Sequence, residues 1–324
     1  MSPTYPGGVR RDLFAPGYTL AGKAGANDLK AGLALQIARS SNKTLSPNSD
    51  SPSVFLDWLR LSDADEFGIS SRYAEIATRD AGIDATGLIP VDSTRTSRTL
   101  SGRLSEVLSE RSKLSATGTY ERVLYKSSTL VDYVTRSGDT MLSYDWSDHS
   151  SSFLRMSYTE YKPVGGNFLR RFANAIYGLN WNPSEYLECT LQIGKTKVSG
   201  QQIGTQGAAS TRYTGRRAQL FLNVDRQVSP SGLGGFVKAD QIRGGWNYAL
   251  SDRSNTGIDF GWQKNHSIAL NNIRISAGVW LQRNLSPSWV VRTSYMRTII
   301  QGGGAEGVSS NILGLSLVYS YSDS

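Results

Sequence analysis

The sequence predicts a transmembrane, antiparallel, up-and-down β-barrel of about sixteen strands, with eighteen as the alternative. Three observations predict it. Apolar and polar or small residues alternate with period two in segments of about 10–14 residues, long enough for a tilted strand to cross a bilayer. Short polar turns alternate with longer loops, as in bacterial barrels. Aromatic residues cluster beside the short turns, where an interfacial girdle would lie.

The alternation is clearest towards the C-terminus. Leu313, Leu315, Leu317, Tyr319 and Tyr321 share one face, opposite Gly314, Ser316, Val318 and Ser320. Ile273, Ile275, Ala277, Val279 and Leu281 oppose Arg274, Ser276, Gly278, Trp280 and Gln282. Alternation alone also fits a soluble sandwich; segment length, turn asymmetry and aromatic placement favour the barrel. The short turns include Leu61-Ser-Asp-Ala-Asp, Leu108-Ser-Glu-Arg, Ser147-Asp-His-Ser, Asn182-Pro-Ser-Glu, Leu250-Ser-Asp-Arg and Leu285-Ser-Pro-Ser. The longer loops are 41–51, 79–92, 198–210 and 300–308. Trp58, Tyr144, Trp146, Trp181, Tyr186, Tyr248 and Trp289 sit beside short turns.

Strands are expected near 29–40, 52–61, 66–78, 93–107, 112–124, 131–146, 151–162, 168–181, 186–197, 204–213, 216–227, 236–249, 254–264, 271–283, 288–299 and 309–321. Residues 17–25 also read as a strand, in a hairpin with 29–40. Adding that strand alone makes the count odd, whereas bacterial single-chain barrels have even counts. Residues 1–16 are expected to be a tail or small plug, and 17–324 a single outer-membrane barrel. The start lacks a basic and an apolar leader region, so an exported chain would be a mature form with an added Met.

Composition narrows the chemistry. The formal net charge is +8, but the basic residues are spread along strands rather than clustered, which argues against nucleic acid. Cys189 is the only cysteine, and it shares a face with Leu187, Leu191 and Ile193. With two separated histidines, His149 and His266, neither a zinc cluster nor a catalytic triad is expected. Asp63-Ala-Asp-Glu-Phe reads as ordinary turn composition, and Gly302-Gly-Gly lacks the following helix of a phosphate loop. The expectation is a non-enzyme with no cofactor and no metal.

The polar face carries the informative chemistry. If the aliphatic face meets lipid, then Arg72, Arg103, Lys113, Arg155, Arg170, Arg243, Arg274 and Arg292 line the lumen with Glu188, Asp225, Asp259 and Trp280. Arg or Lys on the lipid face at the midplane costs about 2–4 kcal/mol, which fixes this phase. Lys30, Glu121, Asp139 and Asp145 follow the same phase, as do the aromatic Tyr161 and Phe172. An excess of arginine favours anions; paired charges would instead brace the interior.

The turns Leu108-Ser-Glu-Arg and Leu250-Ser-Asp-Arg, each followed by a strand of alternating small and apolar residues, resemble those of outer-membrane β-barrels in bacterial exopolysaccharide export systems. Val228-Ser-Pro-Ser-Gly-Leu-Gly-Gly before a strand is similar to a recurrent element of that family. The resemblance covers most of 17–321. It implies a polysaccharide substrate, outer-membrane lipid around the barrel, and periplasmic or inner-membrane export components as partners. The expected function is therefore export of an exopolysaccharide through an Arg-rich lumen, with Trp280, Phe172 and Tyr161 as a stacking track for sugars. A general diffusion porin for small anions, or a closed structural or adhesive barrel acting through its outer loops, are the alternatives. An outer-membrane lipid hydrolase using His266 is more distant.

Overall fold

The computed structural model describes residues 9–43, 47–78, 93–166, 168–200, 204–231, 235–266, 271–302 and 305–320. They form one sheet of eighteen strands: β1 (Arg11–Phe14), β2 (Gly17–Ala24), β3 (Asn27–Ser40), β4 (Ser49–Leu61), β5 (Asp65–Ala77), β6 (Thr94–Ser109), β7 (Ser112–Tyr125), β8 (Tyr133–Ser147), β9 (Ser150–Pro163), β10 (Arg170–Ser184), β11 (Leu187–Val198), β12 (Gly204–Thr214), β13 (Ala218–Ser231), β14 (Gly235–Ser251), β15 (Ser254–His266), β16 (Asn271–Asn284), β17 (Trp289–Gly302) and β18 (Ala305–Tyr319). The eighteen segments match the expected alternative. From β2 onward each strand pairs antiparallel with the next, the up-and-down order predicted.

The first two strands are collinear. β1 pairs with the end of β3 (Arg11↔Ser40), and β2 with its beginning (Gly17↔Ala34). Pro16 stands between them and has no N–H to donate; its carbonyl accepts from the Leu35 amide at 2.9 Å. Residues 11–14, within the stretch expected to be a tail or plug, thus join the sheet as β1, and residues 1–8 lie outside the described residues. Eighteen segments therefore occupy seventeen ladder positions, so β2 and β18 run in the same direction. No register joins them among the described residues. Leu313 and Leu315 of β18 are 84% and 77% exposed, against 46% for Leu281 within the sheet, which marks β18 as an edge.

The outward face is an apolar belt. Leu56, Ile69, Leu104, Leu154, Leu179, Ile193, Leu222 and Val279 are all exposed. A continuous surface of this kind is incompatible with water and suited to lipid. Trp146, Trp181, Tyr186 and Trp289 are exposed at the short-turn rim, and Tyr144 packs edge-on against Trp146 at 4.8 Å. The Trp146 indole N–H donates to Ser152 Oγ at 2.9 Å, which leaves its ring outward and its polar tip satisfied. The belt and girdle put this outer-membrane-type sheet in a bilayer, with the long loops at the outer end.

The inward face is built on glycines covered by cross-strand rings. A Cβ on Gly32 would overlap the Phe55 ring, one on Gly178 the Phe153 ring, one on Gly245 the Phe221 ring, and one on Gly257 the Trp280 indole. Each ring lies flat along the wall because its neighbour has no side chain. The β2–β3 turn is two residues long, and Gly25 supplies its left-handed φ of 57°.

Candidate functional site

The inward charges divide into two sectors. On β3–β9 five of the cations are paired. Arg72 approaches Asp57 (3.7 Å), Lys30 approaches Asp28 (3.8 Å), and Arg103 meets Glu66. Arg95 bonds Glu121 at 3.1 Å and Arg155 bonds Asp139 at 2.6 Å. Each of these cations thus has a carboxylate partner on its own or a neighbouring strand. Lys113 and Glu188 follow the same inward phase, Glu188 opposite Arg212, and Arg170 lies 5.3 Å over the Phe168 ring.

The second sector, on β13–β17, brings the remaining predicted residues together. The register builds it row by row. Asp225, Gln241, Gln263 and Arg274 lie across one row. Asn223, Arg243, Gly261 and Ser276 form the next, then Phe221, Gly245, Asp259 and Gly278, then Asn247, Gly257 and Trp280. Arg292 pairs with Gln282, one row below Trp280. Gly261, Ser276 and Gly278 are small, so the wall is hollowed between larger neighbours. The resulting cavity is about 580 Å³ and is lined by Arg243, Asp259, Arg274, Trp280 and Arg292 among others.

The polar groups of this wall are held from behind. Arg243 Nη2 donates to Gln241 Oε1 at 2.6 Å. Gln263 Nε2 donates to Asn265 Oδ1, and Asn265 Nδ2 to Asn272 Oδ1, both at 2.8 Å. The Arg292 guanidinium sits over the Trp280 ring, 4.5 Å from its centroid. Arg292 makes no ion pair among the described residues. Three arginines beside one carboxylate and one flat indole suit an anion that also presents a planar ring.

Above the first sector, towards the long loops, the lumen narrows against a cluster that sequence reasoning did not assemble. Val123, Tyr125, Leu130, Tyr133 and Tyr161 are buried together. Phe236, at the start of β14, packs against Tyr161 (5.8 Å between centroids) and Phe172 (5.7 Å). β14 lies four ladder positions from β10, so a ring of one wall meets the rings of another across the interior. Tyr161 is 0% and Phe172 7% exposed, so neither joins Trp280 in a stacking track. Sequence alternation put them inward correctly but could not show that Phe236, beside the turn of another hairpin, covers them. The Asp132 carboxylate accepts from the Tyr125 amide at 2.7 Å and folds the loop that delivers Leu130.

Among the described residues no three His, Cys, Asp or Glu side chains group as a metal site. Cys189 Sγ lies 3.6 Å from Thr211 Oγ1. Of the outer loops, 79–92 and parts of 41–51, 198–210 and 300–308 lie outside the described residues, as do two glycines of Gly302-Gly-Gly.

No family model matches the chain, and no curated protein matches it. Solved structures are similar in fold. The FrpB iron transporter from Neisseria meningitidis (F5-1 variant) superposes with a TM-score of 0.56 at 10% identity, covering 90% of this chain and 62% of that one. The outer-membrane ferripyoverdine receptor of Pseudomonas aeruginosa gives 0.53 at 10%, covering 97% and 58%. The RagAB peptide importer gives 0.51 at 10%, covering 92% and 51%. The chain thus spans between about half and two thirds of the length of these proteins. They are an iron transporter, a ferripyoverdine receptor and a peptide importer, and this overturns the expectation of exopolysaccharide export, together with its porin alternative. The Leu-Ser-x-Arg turns behind that expectation suit any short polar turn between two membrane strands, and carry no substrate information. What the comparisons establish is the fold: that of bacterial outer-membrane β-barrels.

Proposed function

We propose that this chain forms the ligand-binding wall of a non-enzymatic outer-membrane receptor or importer, taking up a bulky anionic ligand of the metal-chelate class. The carrying observation is the hollow on β13–β17, where Arg243, Arg274, Arg292 and Trp280 line one cavity. Chelates built from carboxylates or catecholates are negatively charged and present flat rings or chelate faces. Arginine offers such oxygens paired donors, and the fixed indole offers a stacking surface. Asp259 accepts hydrogen bonds from ligand hydroxyl or ammonium groups and disfavours simple inorganic anions. Iron in such a ligand would be cargo rather than a resident cofactor. The similar structures of iron and ferripyoverdine carriers support the ligand class.

The aromatic cluster suits a closed resting state, in which the Phe236 end of β14 blocks direct diffusion and ligand reaches the wall when that end moves. The test is uptake of radio-iron chelates by cells with and without the gene. Dependence of anionic chelate uptake on this chain supports the reading. Uptake that is unchanged for every chelate of a hydroxamate, catecholate and carboxylate panel contradicts it.

A further inference from the structure

Outside the lumen, the outward face of β5–β10 carries a second organised feature at its long-loop end. Arg98 and Arg122 stand directly opposite each other across β6 and β7. Arg136 lies opposite Tyr120 and so is diagonal to Arg122, and Lys162 is beside Val134 on β9. All four are exposed. None makes an ion pair among the described residues, although Arg98 lies 5.8 Å over the Tyr73 ring. The nearby carboxylate Glu160 is engaged by Arg171 (3.4 Å) and by the Tyr158 hydroxyl (2.9 Å). Like charges directly opposite on a sheet repel, and among the described residues no carboxylate forms an ion pair with either; Glu75, diagonal to Arg98 on the same face, accepts from the Tyr73 hydroxyl at 2.5 Å.

Elsewhere on the same rim two outward arginines are neutralised by cross-strand carboxylates. Arg39 bonds Asp50 at 2.6 Å, and Arg226 bonds Asp240 at 2.5 and 3.0 Å. The four cations of the β6–β9 patch lack such partners among the described residues, and they surround a depression of about 400 Å³ lined by Arg122, Arg136, Lys162, Tyr120 and Leu169, with the engaged Glu160 at its side.

Directly below, on the lipid side of the same strands, Gly102, Gly118 and Gly138 face one another in consecutive ladders. A Cβ on any of them would meet nothing within 4 Å. With Ala116 and Thr140 they floor a groove of about 600 Å³, walled by Phe67 and Leu104 on one side and Met156 and Tyr158 on the other. A cationic depression thus sits at headgroup height, two residues along each strand from an apolar groove at acyl-chain height.

We propose that this surface binds a phosphorylated lipid of the outer leaflet, with Arg98, Arg122, Arg136 and Lys162 on its phosphate and the Gly102–Gly118–Gly138 groove holding an acyl chain. Charge complementarity selects the phosphate, and the groove beneath selects a lipid over a free anion. The site is independent of the luminal wall, so it stands or falls apart from the proposed ligand.

The test is native mass spectrometry of the detergent-solubilised full chain titrated with lipid A, with its dephosphorylated form, and with inorganic phosphate. Wild type is expected to retain lipid A, and to bind the dephosphorylated form and inorganic phosphate at least tenfold more weakly. Arg122→Gln/Arg136→Gln is expected to lose at least tenfold in lipid A retention, while Lys264→Gln, at the same rim on β15, is unchanged. Gly118→Leu, which fills the groove but keeps the arginines, is expected to weaken lipid A only. Heat-modifiable mobility on gels confirms that each variant is folded. Equal retention by wild type and the double variant overturns the proposal. Equal binding of inorganic phosphate and lipid A reduces the site to a simple anion patch and overturns it too.

Discussion

The indole of Trp280 is held between two partners: it covers the bare backbone of Gly257, and the Arg292 guanidinium lies 4.5 Å over its face. The ring is fixed before any ligand arrives, which lowers the entropy cost of binding. A double-mutant cycle of Arg292→Gln and Trp280→Ala, read by denaturant unfolding in detergent, is expected to give a coupling of about 0.5–1 kcal/mol. Strict additivity would mean that the contact contributes nothing.

Gly245 has the same relation to Phe221. A side chain there displaces the ring and disturbs the cavity floor, so Gly245→Val is expected to cost about 1–3 kcal/mol of stability. The paired change Gly245→Val/Phe221→Ala should recover part of that loss. Thermal unfolding of the three proteins checks this, and no recovery would place the strain elsewhere.

Phe236 joins the β14 end to Tyr161 and Phe172. Phe236→Ala is expected to loosen this closure, raising the frequency of open events in planar bilayers above the wild-type level. The substitution should leave ligand affinity at the β13–β17 wall within about twofold, because Phe236 does not line that cavity. Unchanged bilayer behaviour would show that the cluster is packing rather than closure.

Much of the fold was legible because a membrane strand imposes period two along its whole length. Strand limits over 27–319 agree with the alternation to within a few residues, as in β7 (Ser112–Tyr125) against 112–124. β1 escaped notice because four residues beside Pro16 are too few to show a period. The inward phase of the arginines was equally readable, from the cost of placing them in lipid. Their partners were not: whether Arg155 meets Asp139, or Arg292 meets Trp280, depends on register between strands, which alternation alone leaves open. Nor could a single strand reveal the outward glycines, since Gly102, Gly118 and Gly138 form a groove only once three strands align.

The odd number of ladder positions leaves β18 with one unpaired edge among the described residues. Every second β18 amide, turned away from β17, is expected to exchange with deuterium far faster in detergent than the amides of β8, which is paired on both sides. Uniform protection along β18 would show that this edge is joined to another strand in solution.

The central claim is that the β13–β17 wall selects an anionic chelate through its arginines. Isothermal titration of anionic ferric chelates into the purified protein, beside Arg243→Gln/Arg274→Gln/Arg292→Gln, tests it most directly. The account predicts saturable binding by the wild type, weakened at least a hundredfold in the triple variant, with neutral chelates bound poorly by both. Wild-type binding that is absent, or that survives loss of all three arginines, would contradict it.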